Sequence, residues 1–190
     1  MNRILGVLIS GRGSNLKAII EAIDQRRLNA AIAVVISNRA DAPGLEYAAN
    51  AGVETLAISH VGHQSREDYD RVLVDALAKR NVSLVCLAGF MRLLSPVFVS
   101  AFPNRILNIH PSLLPKYPGL HPQQQALDDG ATESGATVHL VNNDLDAGPI
   151  VLQQSVPVLA GDTADTLAAR ILAVEHQLYP RAIEKVLSGN

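Results

Sequence analysis

Arg3-Ile4-Leu5-Gly6-Val7-Leu8-Ile9-Ser10-Gly11-Arg12-Gly13-Ser14-Asn15 leads from an apolar run into a glycine turn and out into a helical pattern. The run at residues 3–9 is nearly continuous in aliphatic side chains, which suits a strand buried on both faces of a parallel sheet. Working outward, four more such runs follow at 30–37, 53–58, 82–87 and 105–110, rich in Val, Ile and Leu. Helices fit between them at 15–27, 43–51 and 65–80. The third has a capping residue, Ser65, with Asp68 three positions on. Its apolar residues Tyr69, Val72, Leu73, Ala76 and Leu77 keep helical spacing. Strand and helix in alternation predict an α/β fold with a doubly wound, mainly parallel, Rossmann-like sheet.

The pattern changes after His110. Residues 111–119 hold Pro111, Pro115, Pro118 and Gly119 and read as a loop. A helix near 122–129 follows, then strands at 136–141 and 150–158, expected to be partly antiparallel. A last helix starts near Thr163, with Leu167, Ile171, Val174, Leu178 and Ile183 as its apolar stripe.

Composition narrows the function. At 190 residues the chain is expected to form one domain over 1–190. Apolar residues at 48% and charged residues at 18% exclude a disordered chain. Sixteen basic and eighteen acidic side chains give a net charge of −2, which argues against a nucleic-acid partner. A single cysteine makes neither an intramolecular disulfide nor a cysteine-based zinc site, so a reducing, cytoplasmic setting is expected. No apolar stretch approaches a membrane span, and the N-terminal one is too short for a signal peptide.

Doubly wound sheets bind ligands beyond the carboxyl ends of their strands, so the residues at those ends matter most. Ser10-Gly11-Arg12-Gly13-Ser14-Asn15 ends the first strand and opens a helix, where unpaired N–H groups meet an anion. Two readings stand: a phosphate site, or a tight turn whose glycines serve only the backbone. A P-loop is excluded because no Gly-Lys-Ser/Thr follows, and as a dinucleotide fingerprint the loop is defective at Leu16. The fifth strand ends in Asn108-Ile109-His110, and alternation puts Asn108 and His110 on one side. An amide donor beside an imidazole suits acyl chemistry, the first against a developing oxyanion, the second as a proton carrier. A structural histidine is the plainer account. Asp144-Leu145-Asp146 is either an ordinary turn or the source of a carboxylate for His110. Neither a metal-binding pattern nor a Gly-x-Ser-x-Gly elbow is present, and Cys86 reads as a small core residue. Glu175 falls at the edge of the last helix's apolar stripe, where a carboxylate needs a partner, a ligand or water.

Five runs together resemble the folate-dependent formyltransferases: residues 9–16, 87–92, 107–119 (LNIHPSLLPKYPG), 144–151 and 175–180 (EHQLYP). Asn-x-His-Pro-Ser-Leu-Leu-Pro is the most specific of them, and Lys116-Tyr117-Pro118-Gly119 after it is similar to the glycinamide ribonucleotide branch. The resemblance implies transfer of a formyl group from 10-formyltetrahydrofolate to the amine of glycinamide ribonucleotide, in purine synthesis and without a metal. It implies small-molecule partners only, in a monomer or homodimer. A nucleotide-binding half at about 1–103 and a folate and catalytic half at about 104–190 follow from it. So do the residue roles: Asn108, His110 and Asp146 catalytic; Gly13, Ser14, Asn15 and Glu175 against the nucleotide. Arg66, Met91, Arg92, Leu94 and the loop Asn142, Asn143, Asp144, Leu145, Asp146 match the folate region, with Asn108 at its edge. Leu172 and Pro122–Gln124 depart from the pattern, and no phosphate contact is carried over to Leu172. A formyltetrahydrofolate hydrolase on the same scaffold is the alternative. A nucleotide-binding module without catalysis is a third reading, and the intact trio speaks against it.

Overall fold

The structure, a computed structural model, describes residues 2–189. Its elements in chain order are β1 (Ile4–Ile9), α1 (Ser14–Asp24), β2 (Ala31–Ser37), α2 (Pro43–Asn50), β3 (Thr55–Ala57), α3 (Arg66–Ala78), β4 (Leu84–Leu87), α4 (Pro96–Ala101), β5 (Ile106–His110), α5 (Pro122–Asp128), β6 (Glu133–Leu140), β7 (Ile150–Pro157) and α6 (Ala164–Ser188). The strands form one seven-stranded sheet in the order β3-β2-β1-β4-β5-β6-β7. β1 to β5 run parallel, and β6 and β7 pair antiparallel. The α/β expectation, the parallel majority and the antiparallel end all agree with this. One element, α4, had no counterpart in the sequence reading. It is a short helix with Pro96 in its first turn, and the Ser95 N–H before it donates to Asp70 Oδ2 at 2.6 Å.

Alternation along β1 separates two cores. Leu5, Val7 and Ile9 point toward α1 and α6, where Leu16, Ile19, Leu167, Ile171 and Tyr179 meet them. Leu8 points the other way, into the cluster of Tyr69, Leu73, Leu77, Phe98 and Phe102 from α3 and α4. Each fully buried leucine or isoleucine contributes roughly 1.5–3 kcal/mol. Ser65 caps α3 by accepting from the Asp68 N–H at 3.0 Å, as its spacing predicts. Thr163 and Thr166 form a reciprocal capping box at the start of α6.

Two features place the site. The chain leaves β1 for β2 on one side and returns to β4 on the other, so a crevice opens beyond β1 and β4. At the far side, β5 and β6 pair so that Asn108 faces His139 and His110 faces Thr137. Directly opposed residues on one face of an antiparallel pair bring their side chains into contact.

Candidate active site

Beyond β1, the turn is held by backbone geometry and by Ser10. Gly13 has φ +72°, and a Cβ there would lie 2.9 Å from the Cα of Gly44, so both conformation and space favour glycine. The Ser10 hydroxyl donates to Asn38 Oδ1 at 2.6 Å and accepts from the Met91 N–H at 2.8 Å. This ties the ends of β1, β2 and β4 together. The resulting hollow, about 230 Å³, is lined by residues 10–15 with Ala88, Gly89 and Met91. On its inner side Asn15 Nδ2 donates to Glu175 Oε2 at 2.9 Å. Glu175 is only 6% exposed, well inside the edge position the helical stripe suggested. Burial pushes its carboxyl up, and the Asn15 hydrogen bond offsets part of that rise. Asn15 Oδ1 is buried without a hydrogen-bond partner among the described residues.

The second cluster is built on β5, β6 and the loop after β6. Asn108 Nδ2 stands 3.2 Å from His139 Nε2. His139 Nδ1–H donates to the Leu140 carbonyl at 3.0 Å, which leaves Nε2 to accept from Asn108. The other Asn108 N–H remains for a further acceptor. Asp146 reaches both imidazoles: His110 Nδ1 lies 3.5 Å from Oδ2, and His139 Nε2 lies 3.6 Å from Oδ1. The Gly119 N–H donates to Asp146 Oδ2 at 2.9 Å. Burial pushes this carboxyl up, but the groups around it, the Gly119 N–H among them, outweigh that, so it lies below the usual carboxylate range. On its other nitrogen, His110 Nε2–H donates to the Tyr117 carbonyl at 2.9 Å. Carbonyl and carboxylate both accept, and an imidazolium has an N–H for each of them.

The three residues expected to act together, Asn108, His110 and Asp146, therefore do converge. His139 joins them and was missed. Its signal was period-two alternation with Thr137, readable only once β6 is known to pair with β5. Thr137 itself accepts from the Leu114 N–H at 3.1 Å and donates to the Ser112 carbonyl at 2.6 Å. It thereby shapes the loop that follows His110, which includes a cis Leu114–Pro115 peptide.

The residues matched to the folate region are spread more widely. Met91 is 72% exposed at the rim of the hollow beyond β4. The Arg92 guanidinium lies 5.6 Å from the centre of the Tyr69 ring. Leu94 packs against the α3–α4 core. Arg66 opens α3 and is exposed, and among the described residues no ion pair or hydrogen bond engages it. Asn142 Oδ1 accepts from the Asp144 N–H at 3.0 Å, while Asn143, Asp144 and Leu145 face outward. Cys86 is buried, which pushes its thiol up and keeps it inert. A larger cleft of about 730 Å³ runs between α1 and α6 past Lys17, Arg27, His176 and Arg181. It holds none of Asn108, His110, His139 or Asp146, so volume alone does not locate the chemistry.

The sequence profile of the family described as "Formyl transferase" matches residues 3–183. The chain belongs to the formyl transferase family. It is 50% identical to "Phosphoribosylglycinamide formyltransferase" of Escherichia coli (strain K12) over 183 residues, 96% of this chain and 86% of that protein. It is 45% identical over 185 residues to "Trifunctional purine biosynthetic protein adenosine-3" of Homo sapiens, covering 97% of this chain but 18% of that much longer protein. Among solved structures, glycinamide ribonucleotide transformylase 1 from Symbiobacterium toebii superposes with a TM-score of 0.97. It is 52% identical, and the match covers 99% of this chain and 89% of that one. The mixed sheet with its antiparallel end is thus the arrangement of this formyl transferase relative.

Proposed function

We propose that this chain is a phosphoribosylglycinamide formyltransferase, moving the formyl group of 10-formyltetrahydrofolate to the amine of glycinamide ribonucleotide in purine synthesis. The observation that carries the reading is the carboxylate of Asp146 held between His110 and His139, with Asn108 bonded to the second ring. The nucleotide phosphate sits at Gly13, Ser14 and Asn15, where the α1 N-terminus offers N–H groups. Its sugar lies toward Glu175. The folate lies along Met91, Arg92, Leu94 and the Asn142–Asp146 loop, with Arg66 toward its anionic end. In this division, residues at about 1–103 hold the nucleotide and those at about 104–190 hold the folate and the reacting groups. No helix among the described residues is long and apolar enough to cross a membrane, and a cytoplasmic enzyme of small-molecule metabolism is the setting proposed.

The chemistry is direct transfer. The neutral amine attacks the formyl carbon, a carbon–nitrogen bond forms, and the carbonyl π pair moves to oxygen. The free Asn108 N–H and the charged His110 ring stabilise that oxyanion. The pair then returns, the bond to the folate nitrogen breaks, and the folate nitrogen takes a proton. The attacking nitrogen gives one up, by way of His110, Asp146 or a water they hold. Holding the two substrates in attack geometry supplies much of the acceleration. Release of tetrahydrofolate should require glycinamide ribonucleotide in stoichiometric amount. Equal release with the nucleotide omitted would overturn the reading in favour of the hydrolase.

A further inference from the structure

We propose that Tyr117 and Asp129 form a clasp that positions His110, which makes Asp129 a positioning residue for the formyl transfer described above. The inference rests on that reading for its effect on rate, and on geometry for the clasp itself. The Tyr117 hydroxyl donates to Asp129 Oδ2 at 2.6 Å. The carbonyl of the same tyrosine accepts from His110 Nε2–H at 2.9 Å. One residue thus links the imidazole to the far end of α5.

Tyr117 has φ +58°, a left-handed conformation that a residue with a Cβ adopts only under constraint. If it relaxed, its carbonyl would turn away from His110. The chain on both sides is tied: Ser112 Oγ–H donates to the Lys116 carbonyl at 2.7 Å, and the Gly119 N–H binds Asp146. At Tyr117 itself the side chain is tied by the hydroxyl bond to Asp129, while its ring packs against the core. Asp129 is otherwise misplaced. It caps the C-terminus of α5, where a carboxylate meets the negative end of the helix dipole. The neighbouring Asp128 is engaged by Gln124, not by the loop. Asp129 beside the Tyr117 hydroxyl pushes the phenol up, so the donor keeps its proton at neutral pH. Lys116 lies 5.9 Å from the tyrosine ring. On the other side of His110 stand Asp146 and, beyond it, His139.

The test uses the full chain with Tyr117→Phe, Asp129→Ala, the double variant and Asp129→Asn. Nitrogen-edited proton NMR without substrates reads solvent exchange of the His110 Nε2 proton. Each single removal should speed exchange by roughly 5- to 10-fold, the size of one net hydrogen bond. The double variant should show no further change, and Asp129→Asn, whose amide oxygen still accepts, should restore slow exchange. In assays kcat should fall by a similar factor with KM for both substrates unchanged. Parent-like exchange in Tyr117→Phe, or single effects that multiply in the double variant, would overturn the clasp. Because the exchange measurement needs no substrate, it is decided separately from the formyl-transfer reading.

Discussion

Asn15 and Glu175 share a hydrogen bond of 2.9 Å although 160 residues separate them in the chain. It joins the first turn of α1 to the middle of α6. Burial holds the Glu175 carboxyl above its ordinary value, more than Asn15 compensates. A carboxyl whose native pKa exceeds its unfolded one adds stability below the unfolded value, and that stability is lost as pH rises through the native one. At neutral pH, where the unfolded chain carries this charge freely, burying the carboxyl therefore opposes folding. Glu175→Gln keeps an acceptor for Asn15 and removes the charge. It should melt higher than the parent at pH 7, by about 2–4 °C for each kcal/mol recovered. The advantage should vanish below the ordinary glutamate value of 4.5. The same variant should bind glycinamide ribonucleotide more weakly. Thermal denaturation across pH checks the first statement and substrate titration the second; a lower melting temperature at pH 7 would refute the sign.

Asn108 has one N–H held by His139, and the other is the one proposed to meet the oxyanion. Asn108→Ala removes the donor from the oxyanion, and kcat should drop by roughly 10²- to 10³-fold. Ground-state affinity for folate should change far less, because the charge develops only in the transition state. Steady-state kinetics with folate binding measured separately distinguishes the two. A variant with near-parent turnover would remove Asn108 from the mechanism.

His110 and Asp146 should behave as one unit. Asp146→Asn and His110→Ala should each reduce kcat strongly, and the double variant should lose little more than the worse single. Multiplying losses would separate the two residues. Asp146 also carries a stability signature opposite to that of Glu175. Its native carboxyl lies below the usual range, so its contribution is present above the unfolded pKa and disappears as pH falls through the native one. Asp146→Asn should melt below the parent at pH 7, with the gap closing on acidification. A gap that persists in strong acid would mean that packing, not charge, sets the difference.

Local pattern made much of this legible. The apolar run of β1 and the glycine turn after it could be read directly, because strand burial and turn chemistry are short-range properties. Ser65 announced α3 through capping, and the apolar stripe from Leu167 to Ile183 announced α6. Asn108 and His110 shared a side by alternation within one strand. α4 was hidden because six residues cannot display a helical period, and its anchor, Asp70, lies on another helix. His139 was hidden because its role depends on the pairing register of β5 with β6. Glu175 looked peripheral on its own helix and is buried because α1 packs over it. In each case the missing information was a contact between distant elements.

Gly148 tests how tightly that long-range geometry is held. A Cβ at this position would lie 1.7 Å from the Leu140 carbonyl oxygen and 2.9 Å from its carbon. That carbonyl accepts the His139 Nδ1–H, so it fixes which nitrogen of His139 faces Asn108. The backbone has little room to yield, because the Leu140 N–H donates to the Pro149 carbonyl at 2.9 Å. Asp146, at φ +50°, is two residues upstream. Gly148→Ala should therefore disturb both neighbours of the reacting centre at once. Overpacking of this kind costs about 1–3 kcal/mol, and a displacement near 1 Å can lower kcat by roughly 10²-fold. Gly6→Ala is the control: its Cβ would meet Leu77 Cδ2 at 2.4 Å, in the core between β1 and α3. It should lower the melting temperature while the folded enzyme keeps its kcat. Equal kcat for the two folded variants would show that the Leu140 carbonyl does not govern the site.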